Sequence, residues 1–485
     1  MSTLKRPPSP KALPILGVLP KLQSDPLKHL AEWAKLGDIV ELPVPTTKLY
    51  LITNPTLAQQ VLATTESKFH KGISERPQLL QKQILGEGLI AIQGEEWLWT
   101  RRGVFPPFHR RYIATYAPLI VEHATRTLDS WKDGDVREIH HDMTQLTLRI
   151  ICDAFFGFEP PAEIEMIGGF IDLLVTEYAK RTLNPLHLPL GFPTLTNIKI
   201  RRAIRWLQNI VSKIIQQRRN SRNDKDDLLS VLLSLKDKDG NSLPDETIRA
   251  HVMTFFLAGY ETTSIALSYT FTLLSQHPEV EERLVSEIQG VLQGRRPMAE
   301  DVQNLRYTQM ILKEAMRLYP PAWIVSARIP LNDCELGGYT ISKGSLLLIS
   351  QWTIHRDERY YDEPERFYPE RWEADLSGRD SVYPYFPFGA GPRICIGKDF
   401  ALMEAALLLA TIVQRFRLTL VANHPIVPSP LATLRPKYGV KMTIGLRSEA
   451  EINHAKGEDK TRIGGHVAES SKPEEYVRQC PYHAR

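Results

Sequence analysis

Residues 386–416 begin Phe-Pro-Phe-Gly-Ala-Gly-Pro-Arg-Ile-Cys-Ile-Gly and then run, from about Lys398 to Phe416, through a stretch that is apolar almost all round. A helix without a polar face has to be buried. The segment therefore predicts a helix inside a large core, entered through a glycine-rich turn. Gly389, Gly391 and Gly397 free the backbone of that turn from the limits a Cβ imposes and let a bulky group approach the main chain. Cys395 stands at the helix start, where the positive end of the dipole and successive amide N–H groups favour a thiolate. Arg393 adds a fixed cation suited to a carboxylate.

A thiolate presented in this way suits a large, flat, apolar group bearing carboxylates, and haem is that group. Phe388, Gly389, Gly391, Arg393, Cys395 and Gly397, six defined positions in ten, resemble the cysteine loop of the cytochrome P-450 superfamily, the haem-thiolate monooxygenases. A chain of 485 residues would by length alone suggest two or three domains. The resemblance implies instead one large unit, mainly α with a minor β region. The expected organisation is a proline-rich segment at 1–20, a monooxygenase domain at 21–447 and a polar, loosely held tail at 448–485.

Composition agrees with a globular chain: 42% hydrophobic and 24% charged residues supply a core, and a net charge of +4 gives no argument for nucleic acid. Cys152, Cys334, Cys395 and Cys480 show no paired spacing, so neither a disulfide framework nor a zinc site is indicated, and a reducing compartment is expected. No apolar run reaches the roughly 20 residues needed to span a bilayer. A soluble, bacterial-type, cytoplasmic protein without a membrane anchor is the expectation.

The second informative stretch is a long helix expected from Pro244, with Ser242 as its cap and Asp245 and Glu246 in its first turn. At its middle lies Ala258-Gly259-Tyr260-Glu261-Thr262-Thr263. Gly259 weakens the helix by about 1 kcal/mol relative to alanine, and the Thr262 hydroxyl can bond back to the Ala258 carbonyl. Onto Glu261 and Thr262 the resemblance carries the family's acid–alcohol pair for dioxygen activation. Trp97 and Arg101, a turn apart, take the place of its haem-propionate contacts, as does Arg328. Glu314 and Arg317, at i and i+3, resemble with Arg371 the family's buried structural triad.

The resemblance also implies haem b as cofactor, dioxygen as co-substrate and a separate electron donor: a ferredoxin, flavodoxin or diflavin reductase. The basic cluster Arg101, Arg102, His109, Arg110 and Arg111 is its expected docking border. Leu89, Ile90, Phe255, Ala258, Ala322, Ile324 and Thr433 are the expected substrate pocket. All but Thr433 are apolar, which predicts a lipophilic substrate: a fatty acid, terpenoid, steroid or retinoid. The fatty acid is placed first because Lys48 and Tyr50, alternating on a strand near the channel entrance, can hold a carboxylate. A haem-thiolate peroxygenase or isomerase and a non-catalytic haem sensor are the alternatives. The sensor would need a second axial ligand, and His251, eight residues before Gly259 and about 12 Å along the axis, is poorly placed to be one.

Overall fold

The apolar run after Cys395 forms a helix, Lys398–Arg415, with most of its residues buried. The computed structural model describes residues 6–448 apart from 46, 73–80, 159–163, 184–187, 222–226 and 375–383. The tail beyond Ser448, with Cys480, lies outside the described residues. Eight helices position the site: α1 (Gly94–Val104), α2 (Ala117–Leu128), α3 (Ile139–Phe156), α4 (Ile164–Leu183), α5 (Leu195–Asn220), α6 (Asp245–Gln276), α7 (Arg306–Leu318) and α8 (Lys398–Arg415).

The 32 residues of α6 make a rod of about 48 Å, against which α3, α5, α7 and α8 pack. Leu407 to Ala410 of α8 are fully buried. The start of α6 differs from expectation. Pro244 is itself the N-cap, with no side-chain cap bond, while the Ser242 hydroxyl accepts from Lys236 Nζ at 3.0 Å. Proline has no N–H to offer the first turn, and its fixed φ sets the chain's entry into the helix. The helix that carries Trp97 and Arg101 ends at Val104, because Pro106 and Pro107 stop the i to i−4 ladder.

The largest sheet of the minor β region has five strands, β1 (Ile39–Pro43), β2 (Lys48–Ile52), β3 (Phe69–Lys71), β4 (Val325–Pro330) and β5 (Leu346–Ile349), in the order β1-β2-β5-β4-β3. β2 and β5 are parallel and the other pairs antiparallel. Between β4 and β5 a hairpin turns at Gly337 and Gly338, both with positive φ, the backbone that a two-residue turn requires. The sheet lies beside the helical core and carries one edge of the site.

Candidate active site

A cavity of about 390 Å³ lies between α6 and the loop before α8. One wall is Pro387, Phe388, Gly389, Arg393, Cys395, Ile396 and Gly397; the facing wall is Phe255, Ala258, Gly259, Thr262 and Thr263. Gly389 and Gly391 have φ of 71° and 68°. A Cβ on Gly391 would stand 2.0 Å from the Leu62 carbonyl oxygen, so this glycine is fixed both by its φ and by a crossing backbone. Gly397 has an ordinary φ of −87°, and a Cβ there would make only ordinary contact, 4.0 Å from Cys395 Sγ.

Cys395 N–H donates to the Phe388 carbonyl at 2.9 Å, which closes the loop. The surface that Cys395 exposes is cavity wall. Burial pushes its thiol up; the Gly397 N–H, Arg101 and Lys398 oppose that without cancelling it. This corrects the expectation of a thiolate favoured by the helix start alone. In the bare chain desolvation wins, and a coordinated metal ion is what would displace the proton.

One edge of the cavity concentrates cations. Arg393 Nε donates to Glu66 at 2.7 Å and its guanidinium lies 3.9 Å over the Trp97 ring. Arg101 donates to the Ile394 carbonyl at 2.7 Å. Arg328 is fully buried and bonds Thr65 and the Ser326 carbonyl. The fourth cation is Lys71, which the sequence did not single out; its Nζ donates to the Ile90 carbonyl at 3.2 Å. Lys71 stands directly opposite Arg328 across β3 and β4, where like charges repel. Glu66 is the carboxylate that enters this group. Buried positive charge in excess of its partners is costly unless an anion completes it. The largely apolar cavity, the cysteine on its wall and this cationic edge fit a haem with its two propionates.

Burial, with Arg393 and Arg328 beside it, lowers Lys71 to about 7. An unfolded chain keeps that proton to about 10.4, so the haem-free fold binds fewer protons than the unfolded chain between those values. Its stability should therefore rise as pH increases from 7 to 10, by at most about 1.4 kcal/mol per unit from this group. Lys71→Met should flatten that rise in urea titrations of haem-free protein. An unchanged slope would mean that Lys71 is not held uncharged.

On α6, Thr262 Oγ1 donates to the Ala258 carbonyl at 3.0 Å. A Cβ on Gly259 would come within 2.9 Å of Ile151 on α3, so the glycine also admits the crossing helix. Glu261 does not share the cavity wall with Thr262. It turns outward, accepting from Arg435 Nε at 2.6 Å and from the Thr433 hydroxyl, and Arg435 also pairs with Asp172 on α4. Burial pushes the Glu261 carboxyl up to about 7, the Thr433 hydroxyl pulling against it; the adjacent guanidinium favours the charged form further.

Ile90, Phe255, Ala258, Ala322 and Ile324 line the cavity. Two expected pocket residues do not. Leu89 is packed in the main core; the segment is a turn, closed by the Ala91 and Ile92 N–H groups on the Gly88 carbonyl, and it sends the two side chains different ways. Thr433 is bound to Glu261, and Ala432 takes its place on the wall. Lys48 donates to Ser342 at 2.9 Å and Tyr50 is buried in the sheet core; neither lines the cavity.

Behind the loop, Glu314 is fully buried and accepts from Arg317 Nε and Nη2, Arg371 Nε and Trp372 Nε1 at 2.9 Å, and from Tyr368 N–H at 3.0 Å. Arg317 Nη1 continues to the His355 carbonyl at 2.8 Å. His355 Nε2 in turn accepts the Phe386 N–H at 3.1 Å. Accepting there requires a neutral ring, and burial beside Arg317 and Arg356 holds the imidazole well below its usual range. The three residues from α7 and the 369–372 turn thus reach the first residue of the cysteine loop through His355.

Residues 7–444 match the family model described as Cytochrome P450. The chain belongs to the cytochrome P450 family. This P450 is similar to cyclooctat-9-en-7-ol 5-monooxygenase of Streptomyces melanosporofaciens, 36% identical over 413 residues, 84% of this chain and 89% of the relative. It is similar to pentalenene oxygenase of Streptomyces avermitilis, 30% identical over 446 residues, 91% and 98% of the two chains. Cyclooctatin synthase of Streptomyces melanosporofaciens is 33% identical over 430 residues, 88% and 93%. Membership implies the haem-thiolate cofactor and use of dioxygen. Among the described residues no helix of this P450 is long and apolar enough to cross a membrane.

The groups that sequence reasoning missed in this P450 are Lys71, Glu66, His355, Arg435 and Asp172. Lys71 had a signal, since a lysine closing a three-residue strand opposite Arg328 is unusual once the sheet is paired. The others become visible only when distant segments meet.

Proposed function

We propose that this P450 is a monooxygenase of cyclic terpenoid hydrocarbons, taking its electrons from a separate protein. The observation that carries this reading is the cavity wall: Ile90, Phe255, Ala258, Ala322 and Ile324 are apolar, and Lys48 and Tyr50, which could hold a carboxylate, lie elsewhere. Such a wall holds a compact hydrocarbon by area burial, at about 25 cal/mol per Å². The names of the relatives support the class: cyclooctat-9-en-7-ol and pentalenene are cyclic terpenoids. This reading moves the terpenoid ahead of the fatty acid.

Bound haem would supply dioxygen activation and O–O cleavage, with thiolate donation favouring the latter. Trp97, Arg101, Arg328, Arg393 and Lys71 would hold it at the propionate edge, Phe388, Gly389 and Gly397 would give it room, and Cys395 would ligate the iron. Thr262 would hold a proton-bearing hydroxyl at the cavity wall. Glu261 would govern proton supply from behind the helix, where Arg435 and Asp172 lead towards the surface. No histidine and no second cysteine lines the cavity among the described residues, which weighs against a sensor with two protein ligands. The retained Thr262 favours the monooxygenase over the peroxygenase. Arg102, His109, Arg110 and Arg111 are exposed, with Arg101 of the same stretch bonded to the Ile394 carbonyl of the cysteine loop and Arg110 paired with Asp399 just after it, and they suit an acidic electron donor.

The test is the ferric spin-state shift on titration with cyclic terpenes, fatty acids, steroids and retinoids. Terpenes should give the largest shift at the lowest concentration, and a fatty acid that does better would overturn the class. Ala258→Phe should weaken terpene binding by about tenfold, as overpacking of a filled site costs 1–3 kcal/mol. Unchanged curves would remove Ala258 from the substrate wall. Thr262→Ala should keep haem and substrate yet lower product per reduced nicotinamide by at least about tenfold, the remainder appearing as hydrogen peroxide. Full coupling would reduce Thr262 to helix packing.

A further inference from the structure

One buried acid is used by nothing described so far. Glu404 of α8 is fully buried, and neither of its carboxyl oxygens has a hydrogen-bond partner within bonding geometry. It faces Thr263 of α6, the side chain that offsets the effect of burial on its acidity. Thr263 is equally out of place. Along the buried length of α6, Ser264, Ser268, Thr270 and Thr272 each bond a carbonyl of the preceding turn, as does Thr262. The Thr263 hydroxyl does not; like that of Thr254, earlier on the helix, it has no partner within bonding geometry. Yet Thr263 lines the cavity directly beside Thr262, and Ala405, next to Glu404, lines it from α8.

We propose that Glu404 is a positioning residue: as a neutral acid it donates its carboxyl hydrogen to Thr263 Oγ1, which leaves the Thr263 hydroxyl hydrogen directed into the cavity beside Thr262. Desolvation supports the neutral form, pushing the carboxyl up to about 8. A hydroxyl that receives a hydrogen bond from an acid donates more strongly onward, because chained bonds polarise one another. The cavity wall thereby gains a second hydroxyl donor, oriented from the α8 side and independent of Glu261, Thr433 and Arg435. A purely structural Glu404 has no such rationale. An unpartnered buried acid costs stability that an apolar side chain of similar volume would not, and such local costs concentrate at functional positions. The inference rests on the reading of the cavity as a site of dioxygen chemistry, but its tests do not all depend on turnover.

The first measurement is the infrared difference spectrum on photolysis of carbon monoxide from the reduced, haem-loaded protein at neutral pH. A carbonyl stretch of a protonated carboxyl should respond to departure of the ligand and disappear in Glu404→Gln. No such band in wild type, or one that persists in the variant, overturns the proposal whether or not any variant turns over. The second measurement compares Glu404→Met with Glu404→Gln. Glu404→Met should unfold at an equal or higher temperature, keep the thiolate spectrum, shift the C–O stretch of bound carbon monoxide, and lose about tenfold in product per reduced nicotinamide. Glu404→Gln retains a donor and should remain within about twofold of wild type by the same comparison. A more stable Glu404→Met with wild-type coupling and an unshifted C–O stretch would make Glu404 a packing residue. Should Thr262→Ala prove fully coupled, the reading of Thr262 falls while the carboxyl band still reports on Glu404.

Discussion

Cys395→His should abolish the red-shifted Soret band that thiolate ligation gives the reduced carbon-monoxide complex, and product formation should fall at least about a hundredfold. Cys395 is the cysteine on the cavity wall, and no histidine shares that wall among the described residues. The loop that presents it leaves little room for a substitute. Its N–H is tied to the Phe388 carbonyl, and a Cβ on Gly391 would stand 2.0 Å from the Leu62 carbonyl oxygen. An imidazole is longer and donates less electron density to iron, so even a variant that retained haem would lose the push that favours O–O cleavage. A variant with an unchanged spectrum would mean that the iron is held elsewhere.

Glu314→Ala should destabilise the fold by on the order of 3–5 kcal/mol, the cost of leaving buried charge without its partner. Arg317, which is fully buried, would keep its bonds to the His355, Pro364 and Arg366 carbonyls but lose the carboxylate that neutralises it. Arg371 Nε, Trp372 Nε1 and the Tyr368 N–H would lose their acceptor at the same time. Because Arg317 reaches Phe386 through His355, slackening there should also loosen the cysteine loop. The expected result is a large fall in urea midpoint together with poor haem retention. Glu314→Gln should recover part of both, since an amide oxygen still accepts. Wild-type stability in the alanine variant would show the triad to be dispensable.

What was legible in the sequence was local in the chain. The cysteine loop, the Ala258–Thr263 segment and the Glu314/Arg317 pair each declare themselves within one or two helical turns, where backbone geometry fixes which side chains meet. What was not legible depends on closure over long distances. Glu66 meets Arg393 across 327 residues and Glu261 meets Arg435 across 174, and no periodicity encodes either meeting. The choice of Ile90 over Leu89, and of Ala432 over Thr433, turns on a single position in a turn or bend, where no regular period says which side chain faces the cavity. Glu261 and Thr262 likewise could be named as neighbours without revealing that the helix turns one outward and the other inward.

The pairing of Lys71 with Arg328 has a consequence for how the molecule is assembled. β3 is an edge strand of three residues, and its last residue brings one cation up against another. The cationic edge gathers side chains from near residues 66–71, 101, 328 and 393, segments far apart along the chain. A doubly anionic prosthetic group would act there as a shared counter-ion, tying the amino-terminal edge of the sheet to the loop that carries the iron ligand. Loading and final closure would then be one event, stabilised by mass action. In a cell short of haem, β3 should be the first strand to peel away, and a protease should cut there before anywhere in the helical core.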